Sequence, residues 1–193
     1  MKKVNLKPRA VMYPAPAVIV SAYDIEGRAD ACTLAFASMC SHHPPCVMIA
    51  INATAKRKTL KDILNKREFV LGFPSISQVA QTDYLGIASG YDEDKLKKVS
   101  FSTTPAEHVD APVINELKVS LECRVVNTVT VGSHTQITGE IVNILADEDV
   151  LDDNGKLSLK LLKPVVYDDV LYDYLSVGEK VCDAFNIGLK YKD

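Results

Sequence analysis

The sequence predicts a mainly β fold with a few inserted helices, and three features support this. Short apolar runs rich in β-branched residues recur along the chain between turn residues. The later part contains segments in which apolar and polar residues alternate, as they do in a half-buried strand. Amphipathic helical patterns are few. Many short strands with a few helices are typical of a β-barrel or a sandwich of mixed type.

The composition is that of one ordinary globular domain. The chain has 193 residues, of which 47% are hydrophobic and 24% charged, and its formal net charge is -3. We therefore expect a single domain over residues 1–193 with a sizeable buried core. The negative charge argues against a nucleic-acid partner. No apolar run approaches the length that a membrane helix needs, so we expect no membrane association.

The cysteines and the N-terminus predict a cellular compartment. The 5 cysteines are odd in number, and no two of them form a C-x-x-C pair. This pattern favours buried free thiols in a reducing environment. The N-terminal segment is basic but has no long apolar run of the kind found in signal peptides. We therefore expect a cytoplasmic protein.

The first half of the chain predicts strands followed by helices. Strands are expected at residues 17–23, 31–40, 46–52 and 68–73, and helices at residues 59–66, 76–85 and 92–99. The helix at 59–66 places Leu60, Ile63 and Leu64 on one face. Thr59 followed by Asp62 resembles a capping box with Asp in place of Glu, so we expect this helix to begin at Thr59.

The second half predicts longer strands. In residues 118–125 every second side chain is apolar, which predicts one buried face formed by Val119, Leu121, Cys123 and Val125. After a Gly-Ser turn, residues 134–145 form another predicted strand, with a bulge near Gly139. An Asn-Gly turn and a short strand at 165–167 follow, and the sequence leaves the remaining tail unassigned.

One segment has the features of an anion-binding site. Lys56, Arg57 and Lys58 stand directly before the predicted helix start at Thr59. Free backbone amides and the helix dipole favour an anion there, and the cations and the Thr59 hydroxyl would add charge-assisted hydrogen bonds. A phosphate monoester would fit. The alternative is a solvated basic turn, and the sequence contains neither a P-loop nor a Rossmann glycine motif.

Other candidate residues are ambiguous by themselves. Residues 40–46 contain two cysteines and two histidines, which allows a zinc site, but their spacing matches no usual ligand pattern and a structural loop is the alternative. We therefore assign no metal ligands. His134, Lys95 and Tyr167 are each compatible with purely structural roles.

The order of these motifs resembles the flavin reductase-like family, whose fold is the FMN-binding split β-barrel. The resemblance extends over roughly residues 10–175 and includes the double proline of SHHPP and the series APVINE, LEC, GSH and GE. It is nearest to the flavoredoxin branch of that family. It implies FMN as the cofactor, NAD(P)H as a possible co-substrate and a homodimer with the flavin near the subunit interface.

The resemblance also assigns cofactor-binding residues. Thr59 matches the threonine at the start of the phosphate-binding helix, with Lys56, Arg57 and Lys58 beside it. Lys95 matches a lysine of the family's DK segment, and His134 matches the histidine of G-x-H. The remaining assigned positions are Asp30, Ala31, Phe36, Ser38 and Tyr167. No catalytic residue is assigned.

Two positions depart from the family pattern. Asp30 stands where the family has Asn, and its negative charge would disfavour an anionic reduced flavin. Phe36 stands where flavoredoxins have Trp, which keeps a stacking face but loses the indole N–H donor. Both departures affect the expected affinity for the flavin or its reduction potential.

These observations give three hypotheses of function. The first is an FMN-dependent oxidoreductase, a flavin reductase that takes hydride from NAD(P)H. The second is an FMN-containing electron carrier of the flavoredoxin kind, reduced by a redox partner protein. The third is a β-domain that binds a metal or small molecule through the Cys/His loop.

Overall fold

The computed structural model describes residues 1–192, and it is built mainly from strands. The strands are β1 (Ala15–Pro16), β2 (Val18–Tyr23), β3 (Ala29–Leu34), β4 (Ala37–His42), β5 (Pro45–Asn52), β6 (Glu68–Gly72), β7 (Thr103–Pro105), β8 (Pro112–Ile114), β9 (Val119–Val131), β10 (His134–Ala146), β11 (Val165–Asp168) and β12 (Asp173–Ser176). The helices are α1 (Lys58–Lys66), α2 (Val79–Ile87), α3 (Lys95–Lys98) and α4 (Leu159–Leu162), with short 3₁₀ turns at Ile76–Gln78, Glu148–Val150 and Ile187–Tyr191.

The largest sheet has 7 strands in the order β3-β2-β6-β9-β10-β5-β4, and every pairing in it is antiparallel. The sheet curls, so that β3 approaches β5 although other strands separate them in the sheet. β1, β11 and β12 form a second small sheet, and β7 pairs with β8. The mainly β fold with inserted helices is therefore confirmed.

The core lies inside the curled sheet. Its most buried members include Val20, Ile49, Phe69, Cys123 and Ile137, which come from five different strands. The predicted inward face of β9 is confirmed, since Val119, Leu121, Cys123 and Val125 are all buried. Burial of this apolar surface is the main source of stability for a sheet of this kind.

The predicted strand at residues 31–40 is in fact two strands. β3 ends at Leu34 and β4 begins at Ala37, with a tight turn in which the Ala37 amide donates to the Ala35 carbonyl over 3.2 Å. The Phe36 carbonyl accepts a hydrogen bond from the Ala50 amide at 2.8 Å. The chain thus changes direction at Phe36, which places this side chain at a corner beside β5.

Gly139 lies at a bulge, as predicted. The register of β9 and β10 shifts between Thr138 and Gly139. A Cβ atom at position 139 would lie 2.6 Å from Cζ of the fully buried Phe69 and 3.2 Å from the Cβ of Cys123. The bulge therefore brings the backbone against the core at a distance that only glycine allows.

The predicted capping box at α1 is wrong. The helix begins at Lys58, Arg57 is the N-cap residue, and no side chain caps it. The Thr59 hydroxyl instead donates to the Asp30 carboxylate at 2.5 Å, and the Asp62 carboxylate accepts from the Lys58 ammonium at 2.8 Å. Thr59 is the second residue of the helix and not its N-cap, and its hydroxyl makes a charge-assisted hydrogen bond to β3.

All 5 cysteines are free within residues 1–192. Cys32, Cys46 and Cys123 are buried, as predicted, whereas Cys40 and Cys182 are exposed, so the expectation of burial is wrong for these two. Cys40 lies on the edge strand β4, and Cys182 lies in the segment beyond β12. Across residues 1–192, no helix combines the length and the apolar character needed to span a bilayer.

Candidate functional site

The start of α1 opens onto a cavity of about 370 Å³ with a basic lining. Lys56, Arg57, Lys61 and Tyr91 contribute to this lining. Because no side chain caps α1, the amides of its first turn have no side-chain acceptor among the described residues. These amides, the helix dipole and the three cations together favour an anion at this position.

Arg57 connects this basic cavity to α2. The backbone of Arg57 is extended, and its guanidinium donates to the carbonyl of Ala88 over 3.4 Å. Ala88 immediately follows the last residue of α2. Arginine has five N–H donors in a planar fork, so this single contact leaves other donors for an anion.

Asp30, Thr59 and Lys95 lie together in the interior. The Asp30 carboxylate accepts from the Thr59 hydroxyl at 2.5 Å and lies 3.3 Å from the Lys95 ammonium, which also donates to the Ala31 carbonyl. The three residues are only 5%, 1% and 3% exposed. The structure thus connects four of the assigned cofactor-binding positions to one another, the fourth being Ala31 through its carbonyl.

Lys58 points away from the basic cavity. Its ammonium lies 2.8 Å from the Asp62 carboxylate and 3.2 Å from that of Asp24. Burial opposes the ionisation of Asp24, but hydrogen bonds from Arg28 and Lys58 outweigh it and hold its pKa well below the usual range. The positive charge of Lys58 is therefore neutralised within the protein.

Phe36 and His134 form an aromatic pair. Their ring centroids are 4.9 Å apart, with the planes inclined by 25°. Phe36 is 41% exposed, so part of its ring remains available for contact. His134 pairs in register with Asn52 at the end of β5, and the segment that carries Lys56 and Arg57 leaves the sheet at this point. The stack therefore lies at the strand end from which the basic cavity is reached.

Tyr167 lies in a separate cleft of about 390 Å³, which Thr33, Ala35 and Ile87 also line. Its ring is 5.4 Å from that of Tyr174, whose hydroxyl donates to the Asp83 carboxylate at 3.1 Å. Burial and this hydrogen bond raise the pKa of Tyr174. Tyr174 is therefore neutral in the folded protein. The cleft is lined by the rings of Tyr167 and Tyr174 and by the Asp83 carboxylate.

Ser38 lies on β4 and lines a third, apolar groove of about 380 Å³ with Phe36, Met48 and the N-terminal residues Val11 and Met12. Phe36 therefore faces this groove as well as His134. Ala35 lines both this groove and the tyrosine cleft, so the two are adjacent.

Sequence reasoning missed several residues of these cavities. Lys61 and Tyr91 line the basic cavity, and Thr33 and Tyr174 line the tyrosine cleft. Tyr91 had a usable signal, since it stands within the family-like run GIASGYDEDKLKK. Tyr174 had none, because it lies in the tail that the sequence left unassigned.

Within residues 1–192, no group of three or more His, Cys, Asp and Glu side chains is placed to hold a metal ion. The segment with two cysteines and two histidines forms the hairpin between β4 and β5. Cys46 is buried, while Cys40 and His42 are exposed.

Comparison with known proteins gives consistent matches. The family model for the flavin reductase like domain matches residues 10–176. The flavoredoxin of Desulfovibrio vulgaris (Miyazaki F) is 33% identical, with a TM-score of 0.91 over 97% of this chain and 100% of that one. The flavoredoxin from Methanosarcina acetivorans is 28% identical, with a TM-score of 0.91 over 99% of this chain and 100% of that one.

The sequence also matches a protein from a third organism. A protein of Archaeoglobus fulgidus is 33% identical over 95 residues, which is 49% of this chain. The match spans 54% of the length of that protein. The structural matches show that the curled sheet is the split-barrel fold of these neighbours.

Proposed function

We propose, from the premise that this chain belongs to the flavin reductase-like family, that it binds FMN and transfers electrons through it. The observation that carries the proposal is the uncapped start of α1, where three cations line an open cavity. The Phe36–His134 stack lies at the end of β5, the strand from which the chain continues into this basic segment. A ligand with a phosphate at one end and a flat ring system at the other matches this arrangement. The family resemblance identifies that ligand as FMN.

The phosphate end fits the start of α1. Arg57, Lys56 and Lys61 supply positive charge, and the first-turn amides supply hydrogen-bond donors. Thr59, Lys58 and Lys95 already have partners within the protein, so they support the phosphate site through their positions. In this proposal the direct contacts come from Arg57 and Lys56.

The ring end fits the aromatic side chains. The Phe36 ring is partly exposed, and the His134 ring stacks against it. Tyr167 lines the adjoining cleft. A bound flavin supplies the hydride and electron chemistry, while the protein sets its position and surroundings. The apolar groove beside Phe36 would exclude water from the ring.

The reaction that we propose first is reduction of the flavin by NAD(P)H. The alternative is an electron carrier that a partner protein reduces. The flavoredoxins from two organisms, each at a TM-score of 0.91, favour this alternative. The 5 free cysteines within residues 1–192 favour a reducing compartment, and we propose the cytoplasm for either activity.

An absorption spectrum of the purified protein tests the proposal. We expect the visible bands of an oxidised flavin, and we expect NADH or NADPH added without oxygen to bleach them rapidly. Bands that persist with both nucleotides would favour the electron carrier. A protein that shows no such bands even after addition of FMN would contradict flavin binding.

We also propose a homodimer. The segment beyond β12 carries large apolar side chains that nothing in the described chain covers, among them Val181 at 95% and Phe185 at 99% exposed. A monomer in water rarely exposes so many such side chains together, so a second copy is the natural cover. Light scattering should give about twice the chain mass of 21.1 kDa. A single-chain mass with flavin bound would contradict the dimer.

A further inference from the structure

The buried carboxylate of Asp30 lies directly beside the proposed phosphate site. It accepts the hydroxyl hydrogen of Thr59, the second residue of α1, at 2.5 Å. The amide of Thr59 belongs to the first turn of α1, the turn at which the proposed phosphate would bind. A negative charge is thus fixed within one side-chain length of amides that would bind a phosphate.

Packing holds this carboxylate in place. A Cβ atom at position 90 would lie 2.3 Å from Asp30 Oδ1, so Gly90 lets the backbone of its loop close tightly over the carboxylate. Asp30 is 5% exposed, and water therefore screens its charge poorly. The hydrogen bond from Thr59 and the nearby Lys95 ammonium hold the carboxylate next to α1.

Lys95 compensates this charge only in part. Its ammonium is 3.3 Å from Asp30 Oδ1 and also donates to the Ala31 carbonyl, while the Thr59 hydroxyl donates to the other carboxylate oxygen, Oδ2. The oxygen bonded to α1 is therefore Oδ2, and the compensating cation lies next to the other oxygen.

We propose that Asp30 weakens the hold on the phosphate of the flavin, so that bound FMN exchanges readily with free flavin. This inference rests on the proposed function. In the oxidised state the flavin ring is uncharged, so the repulsion acts on the phosphate. Asp30 thus speeds the dissociation of FMN, and the positive charge of Lys95 limits the size of that effect.

Titration of the flavin-free protein with FMN and with riboflavin, followed by flavin fluorescence, tests this inference. Riboflavin lacks the phosphate and serves as the internal reference. We expect Asp30→Asn to bind FMN roughly tenfold more tightly and to release it roughly tenfold more slowly on dilution, with riboflavin unchanged. Asn keeps an acceptor for Thr59 and the same shape against Gly90.

Lys95→Met tests the same charge balance from the opposite side and does not depend on the folding of Asp30→Asn. We expect it to bind FMN roughly tenfold more weakly, again with riboflavin unchanged. Asp92→Asn is the matched control, since Asp92 is exposed and lies in the same loop as Gly90. Its FMN affinity should stay within about twofold of the wild type.

An FMN-to-riboflavin affinity ratio that is the same in the wild type, Asp30→Asn and Lys95→Met would overturn this inference while flavin binding stands. A wild-type protein that binds neither flavin would overturn the proposed function, and this inference with it. A ratio that rises in Asp30→Asn and falls in Lys95→Met would support both.

Discussion

Replacing both Lys56 and Arg57 with alanine should lower the affinity for FMN by about a hundredfold and leave the affinity for riboflavin nearly unchanged. The reason is that both cations line the cavity at the uncapped start of α1, where the proposed phosphate would sit. Fluorescence titration of the flavin-free variant with both flavins measures this difference. The loss should appear only with the phosphorylated flavin.

The matched control is Lys156→Ala/Lys160→Ala. It removes the same charge from exposed positions of the segment between β10 and β11. Its FMN affinity should equal that of the wild type within about twofold. Equal losses of FMN and riboflavin in the Lys56/Arg57 variant would place the phosphate elsewhere, and so would no loss of either.

Glu122→Ala should lower the free energy of unfolding by about 3 kcal/mol. Glu122 is fully buried at 0% exposure, and its carboxylate accepts hydrogen bonds from the His108 amide at 2.7 Å, the Asn143 side-chain amide at 3.1 Å and the Glu107 amide at 3.3 Å. Truncation leaves these donors without an acceptor. Urea unfolding at pH 7 measures the loss.

Glu107→Ala is the control for this variant. It makes the same substitution at an exposed position of the same loop and keeps the backbone amide that contacts Glu122. We expect a change within about 0.5 kcal/mol. If both variants lost the same stability, Glu122 would not be the acceptor that anchors the loop between β7 and β8.

The contribution of Glu122 should also depend on pH. Burial opposes its ionisation, but the hydrogen bonds from Asn143, His108 and Glu107 outweigh burial and lower the pKa. A lowered pKa in the folded state stabilises the protein fully above the pKa of an unfolded glutamate, about 4.3. That stabilisation disappears as the pH falls through the lowered value. The difference in stability between the wild type and Glu122→Gln should therefore shrink below about pH 4.

Glu122 also shows a limit of predicting burial from the alternation of apolar and polar residues. The alternation in β9 correctly predicted the apolar inward face, but it made no prediction for the opposite face, where Glu122 is also buried. The loop that carries Glu107 and His108 covers the outer face at this point and supplies donors to the carboxylate. That cover depends on a contact between segments 14 residues apart, which local periodicity does not encode.

Thr59 shows the same limit at the proposed cofactor site. Local spacing predicted that its hydroxyl would cap α1, whereas Arg57 is the N-cap and Lys58 is already the first residue of the helix. The actual acceptor, Asp30, lies 29 residues earlier on β3. α1 packs against β2 and β3, which brings the two together, so this partner is visible only once the tertiary structure is known.

The residue pairs at the ring end depend on tertiary structure in the same way. The resemblance to the family assigned both Phe36 and His134, but nothing in the sequence indicated that their rings stack on each other. The turn at Ala35 that ends β3 early directs Phe36 toward β5 and β10. A continuous strand through residues 31–40, as the sequence predicted, would not have produced this corner.

A crystal structure of the protein grown with FMN tests the central claim most directly. The account predicts the phosphate at the start of α1, with its oxygens within hydrogen-bond distance of the first-turn amides and the Arg57 guanidinium, and the flavin ring against Phe36. A phosphate bound instead to Lys58 or Lys95, with Arg57 free of it, would contradict the account.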